Sequence, residues 1–80
     1  MNSSIDWKTF HTNVCEHLGL NDDEITTETD IYKDIGLDSL GMVSLGMKLQ
    51  AEFDVNVPLS EVATIKTIGD LFNKINEYVK

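Results

Sequence analysis

Three adjacent residues, Asp38, Ser39 and Leu40, stand where an irregular acidic stretch gives way to a helical pattern. Asp38 is of the type that caps a helix. That places the Ser39 hydroxyl in the first turn, at the positive end of the helix dipole and beside N–H groups with no partner inside the helix. A phosphate ester on that hydroxyl is electrostatically favoured there. The plainer possibility, a cap and nothing more, explains Asp38 fully and leaves Ser39 without a role.

Other chemistry has little support. Ser39 lacks the Gly-x-Ser-x-Gly surroundings of a nucleophile elbow, and no carboxylate is placed by the sequence to orient His11 or His17. His11 and Cys15 share a helical face, but His17 points away from it, so a third ligand is missing and no metal site is expected. His11 and His17 are read as surface residues and Cys15 as a small buried one. The acidic stretch also fails as a calcium hand, because counting from Asp22 or Asp30 puts no glycine sixth and no glutamate twelfth.

The elements that must position Ser39 follow from periodicity. Trp7, Phe10, Val14 and Leu18 recur at spacings of three and four, which predicts an amphipathic helix from about Ile5 to Leu18, capped by Ser3 or Ser4 and ended by Gly19. Residues 20–38 hold no sustained period and are expected to form a long ordered loop pinned by Ile25, Ile31, Tyr32, Ile35 and Leu37. Loops of that length are usually functional. Helix two should start at Asp38 and end near Phe53 or Asp54, ahead of Val55, Val57 and Pro58. At about 100° per residue, Met42, Leu45, Gly46, Leu49 and Phe53 share its core face, with Val43 at the edge. Leu40, Met47 and Ala51 form a second, narrower apolar stripe beside Ser44 and Lys48, which is either a partner surface or a scatter of tolerated apolar residues.

A short turn around Leu59–Ala63 precedes a last helix from Thr67, which with Asp70 resembles a capping box, to about Val79. Ile68, Leu71, Phe72, Ile75 and Val79 hold its apolar face. The expected fold is all-α: a four-helix antiparallel bundle with a long first loop and a short third helix. Gly46 sits on the core face without filling volume. It leaves room either for a neighbouring helix, through Phe72 or Trp7, or for something carried by the protein.

Charge narrows the partners. Fourteen acids against six lysines and no arginine give a net charge of −8, which argues against nucleic acid because each phosphate contact needs a cation. Residues 16–38 alone hold eight acids against Lys33. Such a field steers basic protein partners toward the segment after Asp38, or simply keeps a loop solvated. A single cysteine allows no internal disulfide, and no apolar run approaches the roughly 20 residues that span a bilayer. The start lacks the basic-then-apolar pattern of a signal peptide. The expectation is one domain, residues 1–80, cytoplasmic and monomeric.

The run Asp34, Ile35, Gly36, Leu37, Asp38, Ser39, Leu40, followed by Val43, Leu45, Leu49, Glu52, Phe53 and Pro58, resembles the 4′-phosphopantetheine attachment region of acyl carrier proteins. The likeness extends over essentially the whole chain, including the long loop, the short third helix and Ile65 to Ile68. It implies that Ser39 receives phosphopantetheine from coenzyme A through a separate magnesium-dependent phosphopantetheinyl transferase. Asp38 would help the transferase and its metal engage. It further implies a carrier without catalysis of its own, which presents acyl thioesters to loading and ketosynthase-type enzymes of fatty-acid or polyketide biosynthesis. In many family members an apolar cleft between helices two and three shields the chain.

The departures from the family pattern bear on docking. Fatty-acid carriers line the exposed face of helix two with acids, whereas Ser44, Lys48, Gln50 and Ala51 stand there, and the third-helix turn keeps only Glu61. Docking is therefore expected to lean on Leu40, Met47, Ala51, Ser44, Lys48 and Ile65, with the acidic loop, and to favour a specialised synthase partner. Ile35 breaks the Gly-Gly pair common in peptidyl carriers, so the acyl reading is preferred. An aminoacyl or peptidyl carrier and an unmodified acidic helical adaptor are the alternatives.

Overall fold

A computed structural model describes residues 4–79 as four α-helices with one 3-10 turn: α1 (Trp7–Leu18), η1 (Asp22–Glu24), α2 (Ser39–Phe53), α3 (Leu59–Val62) and α4 (Ile68–Glu77). No strand is formed among the described residues; a single antiparallel bridge joins Asp30 to Thr67. The core collects one face of each helix, with Phe10, Val14, Met42, Leu45, Leu49, Val62, Ile68, Leu71 and Ile75 buried. Four aromatic rings close the seam of α1 with α2 and α4: Phe10 lies 5.1 Å from Phe72 and 6.4 Å from Phe53, and Trp7 meets Phe72 edge-on at 5.3 Å.

Helix α1 starts later than its periodicity predicts. Asp6 is the cap, accepting from the Thr9 amide at 3.2 Å; Ser4 lies outside the helix and Ser3 outside the described residues. The reason is tertiary. Ile5 is tied to Asn76 through both its amide (2.7 Å) and its carbonyl (3.2 Å), which keeps the chain from helical geometry one residue before the cap. Gly19, at φ 70°, closes the helix as expected, its amide bonded to the Cys15 carbonyl. At the other end of the chain, α4 opens on the Thr67/Asp70 capping box but stops at Glu77, so Val79 packs on the core from beyond the helix.

The loop is ordered by two devices. Asp30 and Asp34 knot it locally: Asp30 Oδ1 accepts from the amides of Tyr32 (2.8 Å) and Lys33 (2.7 Å), and Asp34 Oδ2 accepts from the Asp30 amide (2.8 Å). A backbone ladder then fastens it to the start of α4, with Ile31 donating to Lys66 (2.8 Å), Ile68 to Thr29 (3.0 Å) and Gly69 to Thr27 (2.8 Å). Ile25, Thr29 and Ile31 point into the core, while Tyr32 is exposed.

Candidate functional site

The loop delivers the chain to α2 through Gly36, whose φ of 87° is a left-handed geometry that costs a side-chain-bearing residue far more than glycine. Leu37, half-buried, donates its amide to the Ile31 carbonyl at 3.1 Å and so fixes the next residue, Asp38. Asp38 caps α2 by accepting from the Gly41 amide at 2.8 Å. Ser39 is the first helical residue and is exposed. No hydrogen bond engages its hydroxyl among the described residues, and the amides of the first turn point outward beside it. The hydroxyl is therefore free to be esterified, and a phosphate there meets the positive end of a fifteen-residue helix.

One turn on, Val43 opens an apolar groove between α2 and α3. Val43, Met47, Gln50, Val57, Leu59 and Val62 line it, and its volume is about 260 Å³. Gly46 faces the same seam. A Cβ built on it lies 3.5 Å from Val62 Cγ1, so the neighbour that glycine faces is α3, not Phe72 or Trp7. Leu40 (80% exposed), Met47 (64%) and Leu59 (65%) are large apolar side chains left in solvent around the groove and the serine. Ser44, Lys48 and Ala51 are exposed on the same helix.

Two residues expected to be exposed are wholly or partly buried. Ile65 is 2% exposed and belongs to the core, because the chain turns inward between α3 and the α4 capping box. Gln50 is half-buried, and its Oε1 accepts from the Val57 amide at 2.7 Å, stapling the stretch after α2 back onto the helix. A helical projection misses this because the partner is seven residues on, beyond the end of the helix.

Glu61, the lone acid of α3, is also committed within the molecule. Its carboxylate accepts from Lys74 Nζ at 2.9 Å and from the Tyr78 hydroxyl, which fastens α3 to the end of α4. The Tyr78 hydroxyl, and after it Lys74, hold the Glu61 carboxyl below its ordinary range, and Glu61 in turn raises both Tyr78 and Lys74. Leu59, exposed beside Pro58, escaped the sequence reading; a large apolar residue in the first turn of a short helix was its only signal.

His17 is exposed, but His11 is not the surface residue expected. It is half-buried, its ring 5.2 Å from that of Trp7, and its Nε2 lies 2.8 Å from the Ile25 carbonyl oxygen. Cys15 is buried at 4% exposure, and burial first, then the Asp22 and Glu24 carboxylates, push its thiol up. The fold also brings Asp22 beside His11 and Cys15, supplying the third polar group that helix geometry alone could not.

A family model described as the phosphopantetheine attachment site matches residues 8–75. Acyl carrier proteins from two strains of Clostridium perfringens, SM101 / Type A and ATCC 13124 / Type A, are each 36% identical over 67 residues, covering 84% of this chain and 88% of theirs. The fold superposes with a TM-score of 0.74 on a solution structure of the apo doublet acyl carrier protein from prodigiosin biosynthesis, at 24% identity. That match covers 90% of this chain and 35% of the other, and it speaks for the fold alone. The family match runs from α1 into α4 and takes in every element that positions Ser39: the chain belongs to the acyl carrier protein family, whose prosthetic group is 4′-phosphopantetheine.

Proposed function

We propose that Ser39 is the attachment residue and that the chain works as a single-domain cytoplasmic carrier, catalysing nothing itself, for acyl groups of a fatty-acid or polyketide-type pathway. The observation that carries the reading is the exposed, unengaged Ser39 hydroxyl at the mouth of α2, with the cap supplied by its neighbour Asp38. When bound, the phosphopantetheine group supplies a thiol on a long arm, on which acyl chains travel as thioesters. The protein's own residues do the rest. Asp38 holds the first turn in register and leaves a carboxylate oxygen for the transferase and its magnesium. The α2 dipole and first-turn amides favour the phosphodiester. The groove that begins at Val43 removes an apolar chain from water, at about 0.8 kcal/mol per buried methylene.

Docking is assigned to Leu40, Met47 and Ala51, with Ser44 and Lys48 on the flank and the acidic loop as the long-range attractor. Glu61 adds little charge to that face, since Lys74 neutralises it. A loading or ketosynthase-type enzyme that fits this surface must therefore offer an apolar patch more than a basic one. The test is direct. The chain is incubated with coenzyme A, magnesium and a broad-specificity phosphopantetheinyl transferase, and its intact mass is taken. A phosphopantetheinyl increment on the native chain and none on Ser39→Ala, folded by circular dichroism, is the expected result. An increment on Ser39→Ala overturns the site, and none on the native chain favours the adaptor reading. Loading of the modified chain with an acyl or an aminoacyl group then separates acyl from peptidyl carriers.

A further inference from the structure

The site proposed above leaves one cluster of reactive side chains unused. His11 and Cys15 are one turn apart on α1, and Asp22 opens the 3-10 turn after it; one ligand atom from each lies within 4.8 Å of the others. They are an imidazole, a thiol and a carboxylate, a donor set suited to a borderline divalent ion and poorly suited to calcium or magnesium. We propose that His11, Cys15 and Asp22 bind a transition-metal ion of the zinc class, with the Ile25 carbonyl as fourth donor.

The distances fit such an ion. A tetrahedral ion with Zn–S near 2.3 Å and Zn–N near 2.05 Å sets its sulfur and nitrogen ligands about 3.6 Å apart. Cys15 Sγ and His11 Nε2 are 3.7 Å apart. The Ile25 oxygen is 2.8 Å from the same nitrogen, and needs to open to about 3.3 Å to become a ligand in place of a hydrogen-bond acceptor. Asp22 is exposed on a short turn, so its carboxylate can close the remaining gap by side-chain rotation. Trp7 packs against the His11 ring, tilted 32° to it, and limits its rotation. On binding, the Cys15 thiol gives its proton to solvent, and the imidazole takes the tautomer with its hydrogen on Nδ1. The bound ion would clip the end of α1 to the head of the acidic loop.

Cobalt(II) is the probe, because a thiolate ligand gives it a near-ultraviolet charge-transfer band. The full chain carrying Ser39→Ala is used under a phosphine reductant, so that Cys15 is its only thiol. The expected result is a band that saturates at one cobalt per chain, is bleached by zinc, and is absent in Cys15→Ser. Asp22→Asn and His11→Gln should each weaken cobalt binding at least about tenfold. Asp22 is exposed, so its variant keeps the fold, and zinc should raise the melting temperature of the parent chain more than that of Asp22→Asn at the same zinc concentration. Absence of the band in the parent chain overturns the proposal. So does a band of unchanged affinity in Asp22→Asn, which would mean a thiol binding metal without the cluster.

Discussion

Gly46→Ala should make the protein more stable. A mid-helix glycine costs about 0.5 to 1 kcal/mol relative to alanine, and a newly buried methyl adds up to about 0.8 kcal/mol, provided it meets its surroundings without strain. At Gly46 the provision holds: the added Cβ would lie 3.5 Å from Val62 Cγ1 and 3.9 Å from Gln50 Nε2, both ordinary contacts. The expected gain is about 0.5 to 1.8 kcal/mol, and in a chain of this size each kcal/mol moves the melting temperature by about 4 to 8 °C. Gly46→Val reverses the sign, because its γ-methyls reach past the Cβ into Val62, at a cost of about 1 to 3 kcal/mol. Gly69→Ala is the control. Its Cβ would sit 2.7 Å from the Thr27 carbonyl oxygen, a backbone atom held by the Gly69 amide, so the loop must move and stability must fall. Urea and thermal unfolding of the unmodified chain, followed by circular dichroism, measure all three. A melting temperature that drops in Gly46→Ala would refute the placement of α3 against α2.

Asp38→Ala should lose about 0.5 to 2 kcal/mol by urea unfolding and should also slow modification by the transferase; unchanged modification kinetics would remove its second role. Met47→Glu should weaken loading by a partner enzyme far more than it lowers the melting temperature, because Met47 is exposed, whereas Leu49→Ala, at 1% exposure, should cost about 2 to 5 kcal/mol. Glu61→Gln should destabilise the chain between two pH limits. Glu61 is held below its ordinary value near 4.5, so its contribution is present above that pH and fades as pH falls below it; Tyr78, raised above its ordinary value near 10.0, makes its contribution fade as pH climbs past that. A difference in melting temperature between native and variant that does not shrink as pH falls below about 4.5 would contradict this coupling.

What the sequence discloses of this molecule is what its neighbours in the chain decide. The cap at Asp38, the box at Thr67 and Asp70, and the left-handed end at Gly19 each depend on contacts within a few residues, and each is legible. The same is true of Ser39, whose exposure follows from being first in a helix whose cap is its neighbour. Asp6 was missed because the start of α1 is set by Asn76, at the far end of α4. Gln50 is half-buried where a projection of an isolated helix leaves it exposed, because the chain after α2 folds back onto it, and Ile65, expected on the docking surface from the comparison with the family pattern, is carried into the core between α3 and α4. Asp22 could not be joined to His11 and Cys15 until the path of the loop was known.

The ladder between residues 27–31 and 66–69 ties a stretch of chain into a closed ring, and Ser39 lies inside that ring. Opening the ladder releases the loop and the entrance of α2 together, since the loop's own knot at Asp30 and Asp34 spans too few residues to replace it. The amides of Ile31, Ile68 and Gly69 should then exchange with solvent at a common rate, as one cooperative unit. How long the serine keeps its pose before an approaching enzyme is in this sense a property of α4, at the far side of the ring, and the lifetime of three backbone bonds is the clock for that encounter.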